Sequence, residues 1–283
     1  MPRVASRASF GAGARRFKRR ARRLRLWPAR ALRRRWLRRL KRAPLALRVG
    51  LGVALAAILA LSLNALYQVV RKPTELFFPV SGTLYKTPQE TWREYGPLFR
   101  RYATRSIPPQ LLAALAQVEG SGNPLVRTYW RWTWVLRPLE LYRPASSAVG
   151  MYQITDPTFR EARRYCIHDH VVVEDGPWHE WKSCWFNGLY MRVVPSHAVE
   201  LTSALLDRSV ASTIARQRVG AATLQQKQDL AAIIHLCGAG PGDAYARRGF
   251  RLTPAQKCGD HDVKGYLGQV NAMKRQFARM AAD

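Results

Sequence analysis

The chain has 283 residues, enough for one or two domains with cores of their own, which excludes a small scaffold held together by disulfides alone. Lys and Arg number 47 against 18 Asp and Glu, a net charge of +29. Residues 1–48 hold 19 of those basic residues and no acid, so the other 235 residues carry a net +10, and the whole-chain charge describes a tail rather than a domain.

In chain order the tail comes first. Its Ala14-Arg15-Arg16-Phe17-Lys18-Arg19-Arg20 stretch and the arginines that follow repel one another, and scattered Leu and Trp give it too little apolar surface for a core. The tail therefore reads as disordered or surface-bound: a topology signal in contact with anionic lipid. Charge alone would also attract phosphate. No recognition module or aromatic pattern accompanies it, so no specific nucleic-acid partner is expected.

Val49 to Val70 follow, 22 residues without a charge, closed by Arg71-Lys72. As a helix they span roughly 33 Å, which matches a hydrocarbon core of about 30 Å. A cleavable signal peptide has a shorter apolar run, typically about 7 to 15 residues, and a small-residue exit that is lacking here. Residues 49–70 thus read as an uncleaved single-pass anchor. The arginines before it keep the N-terminus cytoplasmic and place residues 73–283 on the far side.

Beyond the anchor, Pro73, Pro79 and Gly82 suggest a linker over residues 73–85. Thr87-Pro88-Gln89-Glu90 is a capping box, and Trp92, Tyr95, Leu98, Phe99 and Tyr102 behind it mark one face of an amphipathic helix. Pro108-Pro109 opens a helix through Leu111, Leu112, Leu115, Val118 and Glu119 that stops at Gly120 and Gly122. Asp156-Pro157, Ser196 and Thr223 with Gln226 each start another, and Tyr266, Val270, Met273, Phe277 and Met280 mark a last one from Val263. Only Val171 to Val173 suggest a strand. The expected fold is mostly α, with a basic tail over 1–48, the anchor over 49–70, a linker and amphipathic helix over 71–105, and the functional domain over 106–283.

All four cysteines, Cys166, Cys184, Cys237 and Cys258, follow the anchor, where an oxidising compartment lets them pair. Three connectivities exist, and nearest-neighbour pairing closes the shortest loops. No Cys-x-x-Cys or His-x-x-x-His spacing indicates a zinc site; Cys166 with His168 and His170 comes nearest.

Glu119 stands out on chemical grounds. It lies four residues after Leu115 and seven after Leu112, on their apolar stripe, and in the last helical turn, where the dipole presents its negative end. Burial and dipole both favour the protonated carboxyl, the form a general acid needs. The plainer alternative is a helix-end Glu pointing into water.

Four ordered motifs bear on that choice: Leu115 to Pro124 (L-A-Q-V-E-G-S-G-N-P), Ser147 to Gln153 (S-A-V-G-M-Y-Q), Ala239 to Gly242 (A-G-P-G), and Asp262 to Leu267 (D-V-K-G-Y-L). Over roughly residues 105–283 they resemble the lytic transglycosylase SLT domain. That family's pattern is E-S-x-x-N-P, G-L-M-Q, A-Y-N-A-G-P-G and E-T-x-x-Y-V. The resemblance implies a lysozyme-like helical fold of glycoside hydrolase family 23. It implies action on peptidoglycan glycan strands from the inner membrane of a bacterium, with the catalytic domain in the periplasm and no metal or cofactor. Glu119 would be the single acid and base. Gly150, Met151, Tyr152 and Gln153 would line the cleft, with Gly150 letting the backbone approach the sugar and Gln153 offering donor and acceptor. Tyr266 would lie beside the catalytic carboxyl. Protein partners are not legible.

The departures from the pattern are specific. Gly120 stands where the family has Ser, and Leu236-Cys237-Gly238 replace the Ala-Tyr-Asn before A-G-P-G. His235 is a possible substitute there, although a lone His on an apolar helix ordinarily belongs to the core. The 25 residues between Pro124 and Gly150 exceed the family's loop and hold Tyr129, Trp130, Trp132, Trp134 and Tyr142. Trp130 and Trp132 are candidates for a sugar-stacking wall, against ordinary packing over a loop. Trp178, Trp181, Trp185 and Phe186 read as structural. Ordinary glycosidases use two carboxylates. The motifs supply one, consistent with assistance from the substrate's N-acetyl group and a 1,6-anhydro product. The alternatives are a glycan-binding scaffold without turnover and a hydrolytic muramidase.

Overall fold

The computed structural model describes residues 42–134, 137–180 and 182–282. The tail up to residue 41 and Trp181 lie outside the described residues. Helix α1, Leu45–Arg71, is long and apolar enough to cross a membrane. Its 27 residues extend the uncharged run by four residues at the start and one at the end, about 40 Å in all. The chain divides into two units, 1–58 and 59–283, with the division inside α1. The described part of the first unit is almost entirely helical and exposed. Residues 71–105 belong to the same unit as 106–283.

The expected linker is built structure. Pro73–Phe77 form a 3-10 turn and Phe78–Ser81 a short helix, α2. Glu75 is the physical reason: it is buried, with Lys72 Nζ at 3.1 Å, Arg127 Nη1 at 2.8 Å and the Trp130 indole N–H donating at 2.8 Å. A buried carboxylate needs such partners, and together they fix the segment.

Helix α3, Pro88–Arg101, starts on the Thr87/Glu90 capping box and buries Tyr95 and Phe99. Helix α4, Pro109–Gly120, buries Leu111, Leu112 and the alanines around them. Helix α5 is Asp156–Ala162, α6 Pro195–Arg216, α7 Leu224–Cys237, α8 Ala239–Arg247 and α9 Val263–Met280. The Thr223/Gln226 box caps α7 as its spacing predicts, and Asp262 caps α9 by accepting from Gly265 N–H at 2.6 Å. Helix α6 begins one residue before Ser196, at Pro195, whose fixed φ suits the first helical turn.

Leu111, Leu112 and Leu115 of α4 join Phe99, Leu201, Leu206, Leu230, Ile233 and Phe277 in one core to which α3, α4, α6, α7 and α9 all contribute. Each such side chain contributes roughly 1.5–3 kcal/mol by leaving water. Polar ties lock the helices in register: Thr91 Oγ1 donates to Gln117 Oε1 at 2.7 Å, and Ser203 Oγ to the Tyr102 carbonyl at 2.6 Å.

Among the described residues nine α-helices stand against three two-stranded antiparallel hairpins, so the fold is mostly α. Hairpin β1–β2 pairs Trp130–Trp132 with Tyr142–Pro144, β3–β4 pairs Tyr165–His168 with Val171–Glu174, and β5–β6 pairs Lys257–Cys258 with His261–Asp262. Val171 to Val173 are the strand that their β-branched run predicts. The cysteines form the nearest-neighbour pairs, Cys166–Cys184 and Cys237–Cys258. Cys166 is therefore no thiolate ligand, and His170 Nδ1 lies 2.8 Å from the Ala103 carbonyl. Trp178, Trp185 and Phe186 are largely exposed rather than packed in the core, with Trp185 and Phe186 lying ring to ring.

Candidate active site

Glu119 is the penultimate residue of α4. Its side chain is only 16% exposed, so the apolar stripe predicts its setting better than the solvent-facing alternative. The Tyr266 hydroxyl, from the first turn of α9, donates to Glu119 Oε1 at 2.5 Å across 147 residues of sequence. His235 of α7 brings Nε2 to 3.6 Å from the same oxygen. Three helices thus converge on one carboxylate oxygen. Burial, then the Glu119 charge and hydrogen bond, holds the Tyr266 phenol well above its ordinary range. Tyr266 therefore remains a donor throughout the neutral range.

The turn after Glu119 is equally specific. Ser121 ends the helix in the left-handed conformation, and its N–H returns to the α4 carbonyls. Asn123 is fully buried: its Nδ2 donates to the Ser81 carbonyl at 2.6 Å, and its Oδ1 accepts from Leu125 N–H at 2.8 Å. The Asn of the first motif therefore clamps the exit of α4 to the segment that follows α1. Gly120 has no room for a side chain. A Cβ there would meet Met151 Cα at 2.9 Å, Val126 Cγ1 at 2.9 Å and the Met151 carbonyl at 3.0 Å. A serine at this position would collide with the second motif, against which α4 sits directly.

That second motif lies differently from its sequence expectation. Met151 and Tyr152 were candidates to line a cleft, but both side chains are fully buried, and the Tyr152 hydroxyl donates to the Leu112 carbonyl at 3.1 Å. They are core because they lie under α4, and the Tyr152 ring supports the His235 imidazole edge-on at 6.5 Å. Gly150 adopts φ +79°, and the space of its missing Cβ is filled by the Arg192 carbonyl rather than left for a sugar. Gln153 lines a cavity, but its Nε2 donates to the Gly150 carbonyl at 2.9 Å and the Val126 carbonyl at 3.3 Å.

That cavity, about 300 Å³, is lined by Gln153, Thr158, Glu161, Leu201, His235 and Gly238 among others. His235 belongs to both arrangements, lining the cavity and approaching Glu119. Of the two sequence alternatives, a core histidine or a substitute at the altered third motif, this position beside Glu119 favours the second. The Cys237–Cys258 bridge ties the end of α7, which carries His235, to the β5–β6 hairpin that leads into α9.

Trp130 and Trp132 are not brought to this cavity. Trp130 donates to Glu75, and both rings pack on Tyr142, at 5.2 and 4.8 Å between centroids. The aromatic-rich insertion is hairpin β1–β2, held beside the C-terminal end of α1. Compared with known proteins, the chain matches no family model and no curated protein.

Proposed function

We propose that this chain is a membrane-anchored lytic transglycosylase that cleaves the MurNAc–GlcNAc bonds of peptidoglycan, with Glu119 as sole acid and base. The observation that carries the reading is the Tyr266–Glu119 hydrogen bond, which joins the first and fourth motifs at a partly buried carboxylate. Both protein contacts fall on Oε1. In the proposed mechanism the proton for the glycosidic oxygen is delivered from Oε2, because Oε1 is already engaged by Tyr266 and His235.

In the proposed reaction Oε2–H protonates the leaving oxygen as the C1–O bond breaks. The muramic N-acetyl group stabilises the positive charge that develops at C1. The resulting carboxylate then takes the proton of the C6 hydroxyl as that oxygen bonds to C1, closing a 1,6-anhydro ring and restoring the acid. No water is consumed. Tyr266 holds the carboxyl in place and stabilises its charged form, and His235 faces the same oxygen from the cavity side.

The arginine-rich tail on one side and disulfides on the other support a cytoplasmic N-terminus and a periplasmic domain, since disulfides persist in oxidising compartments. Full-length protein in nanodiscs should release fragments from purified peptidoglycan, and Glu119→Gln should not. Equal release by both ends the proposal. A second reading is hydrolysis with a water activated by a second carboxylate, for which Glu161 is the acidic residue lining the cavity that His235 reaches, although Glu119 itself does not line it. Product mass separates the two, because hydrolysis adds one water and the anhydro product adds none.

A further inference from the structure

We propose that hairpin β1–β2 is a second membrane contact, seating its aromatic side chains in the boundary between headgroups and acyl chains beside α1. This rests on α1 crossing a bilayer and is independent of the chemistry at Glu119.

The uncharged run ends at Val70. Asn64 lies six residues before that end and Gln68 two, about 9 and 3 Å along the helix. Both amides are buried against the hairpin: Asn64 Nδ2 donates to the Tyr142 carbonyl at 2.5 Å, and Gln68 Nε2 to the Leu139 carbonyl at 2.8 Å. Residues 139–142 are therefore level with the last turns of the membrane-length helix. An amide N–H at that depth needs a protein acceptor because hydrocarbon offers none, and the hairpin carbonyls supply one to each NH2 group. Arg71 and Glu140, paired at 3.2 Å, mark the level where charge resumes.

The outward side chains suit that level. Trp134 is 100% exposed and Trp132 63%, with Leu139 and Leu141 also open. Arg131 and Arg137 are exposed among them. Trp with an apolar body and a polar N–H, interleaved with Arg, is the composition of a membrane–water interface, where the rings enter the boundary and the guanidinium groups reach phosphates. In water the same apolar patch would be a liability. A glycan wall fits less well, since Trp130 is held by Glu75 and neither Trp130 nor Trp132 lines the His235 cavity.

The test uses the full chain in vesicles of zwitterionic and anionic phospholipid, spin-labelled after Trp134→Cys, Leu55→Cys or Lys264→Cys. Collision with oxygen, which partitions into lipid, is compared with collision with a water-soluble nickel chelate. The oxygen-to-nickel ratio at position 134 should be several-fold above that at position 264 and below that at position 55. A ratio at 134 equal to that at 264, with 55 in lipid, overturns the hairpin contact and leaves the span intact. A water-like ratio at 55 removes both. Immobilisation of the 134 label by soluble peptidoglycan fragments, with no lipid signature, would assign the hairpin to glycan and overturn the proposal. Trp134 is wholly exposed, so its replacement leaves packing untouched, and the cleavage assay reads the enzymatic proposal separately.

Discussion

Adding one methyl group next to the candidate acid tests whether α4 is seated as tightly as the structure indicates. In Gly120→Ala the new Cβ would lie 2.9 Å from Met151 Cα and 3.0 Å from its carbonyl oxygen, both backbone atoms that move only with the chain. Such overpacking costs about 1–3 kcal/mol. Replacing a helical Gly with Ala returns up to about 1 kcal/mol. Because two of the close atoms are backbone, the upper part of that cost applies, about 2–3 kcal/mol, and the net loss is about 1–2 kcal/mol; at about 2–4 °C per kcal/mol for a unit of this size the melting temperature should fall by about 2–8 °C. Gly96→Ala is the control, because its Cβ would meet only the flexible end of Arg100 at 3.4 Å and the Trp92 ring at 3.7 Å. It keeps the helix gain and should melt at or above the parent temperature. Melting is read by intrinsic fluorescence of the full chain in nanodiscs. If Gly120→Ala matches or exceeds the parent while Gly96→Ala behaves as stated, α4 does not press on the second motif and the physical account of the missing serine is wrong. Gly120→Ser should behave like the alanine variant and also slow glycan release, since displacing Met151 displaces the turn beside Glu119.

Tyr266→Phe removes the donor to Glu119 but keeps the ring in the core. A hydrogen bond to a charged group is worth about 1.5–3 kcal/mol, so glycan release should slow by roughly 10- to 150-fold with only a small change in melting temperature. Replacing Cys237 and Cys258 together with Ser opens a loop of sequence separation 21, and the unfolded-state model puts the loss at about 3 kcal/mol. Thermal melting reads the loss, and an unchanged melting temperature would contradict it. Burial raises the phenols of Tyr95, Tyr152, Tyr190, Tyr245 and Tyr266, with Tyr245 pushed up to about 12 by burial and then by Asp229. Their folded values exceed the unfolded value, so their contribution is complete below about pH 10 and declines as pH rises through the raised values. Denaturant midpoints should stay level from about pH 8 to pH 9 and drop by about pH 11; a level curve throughout would contradict the burial of these side chains.

Helices were legible where capping and periodicity coincide. Thr87 with Glu90, and Thr223 with Gln226, place two helix starts correctly because both partners of a capping box lie within four residues of sequence. In the segment after α1, Pro and Gly are local signals of a linker, whereas the order of the segment comes from Glu75 and its partners Arg127 and Trp130, more than 50 residues away. At the site, the apolar spacing around Glu119 indicated burial. Its meeting with Tyr266 was legible only through the order of the motifs, since no local pattern spans 147 residues. Met151 and Tyr152 were misplaced for the opposite reason: a motif marks where backbone passes near a site without saying which side chains face inward. His235 shows how a residue of ordinary type on an apolar helix comes to face a carboxylate that only the fold brings opposite it.

The Glu75 node also governs reach. With Lys72 and Arg127 gripping one buried carboxylate directly after α1, the segment between α1 and α3 is no slack leash. Were α1 to span a bilayer, those few ångströms of ion pairing would set the height at which Glu119 stands above it. If the enzymatic reading holds, only strands that come down to that height meet the acid, and lengthening the stalk at this point would change which layer of the wall is cut.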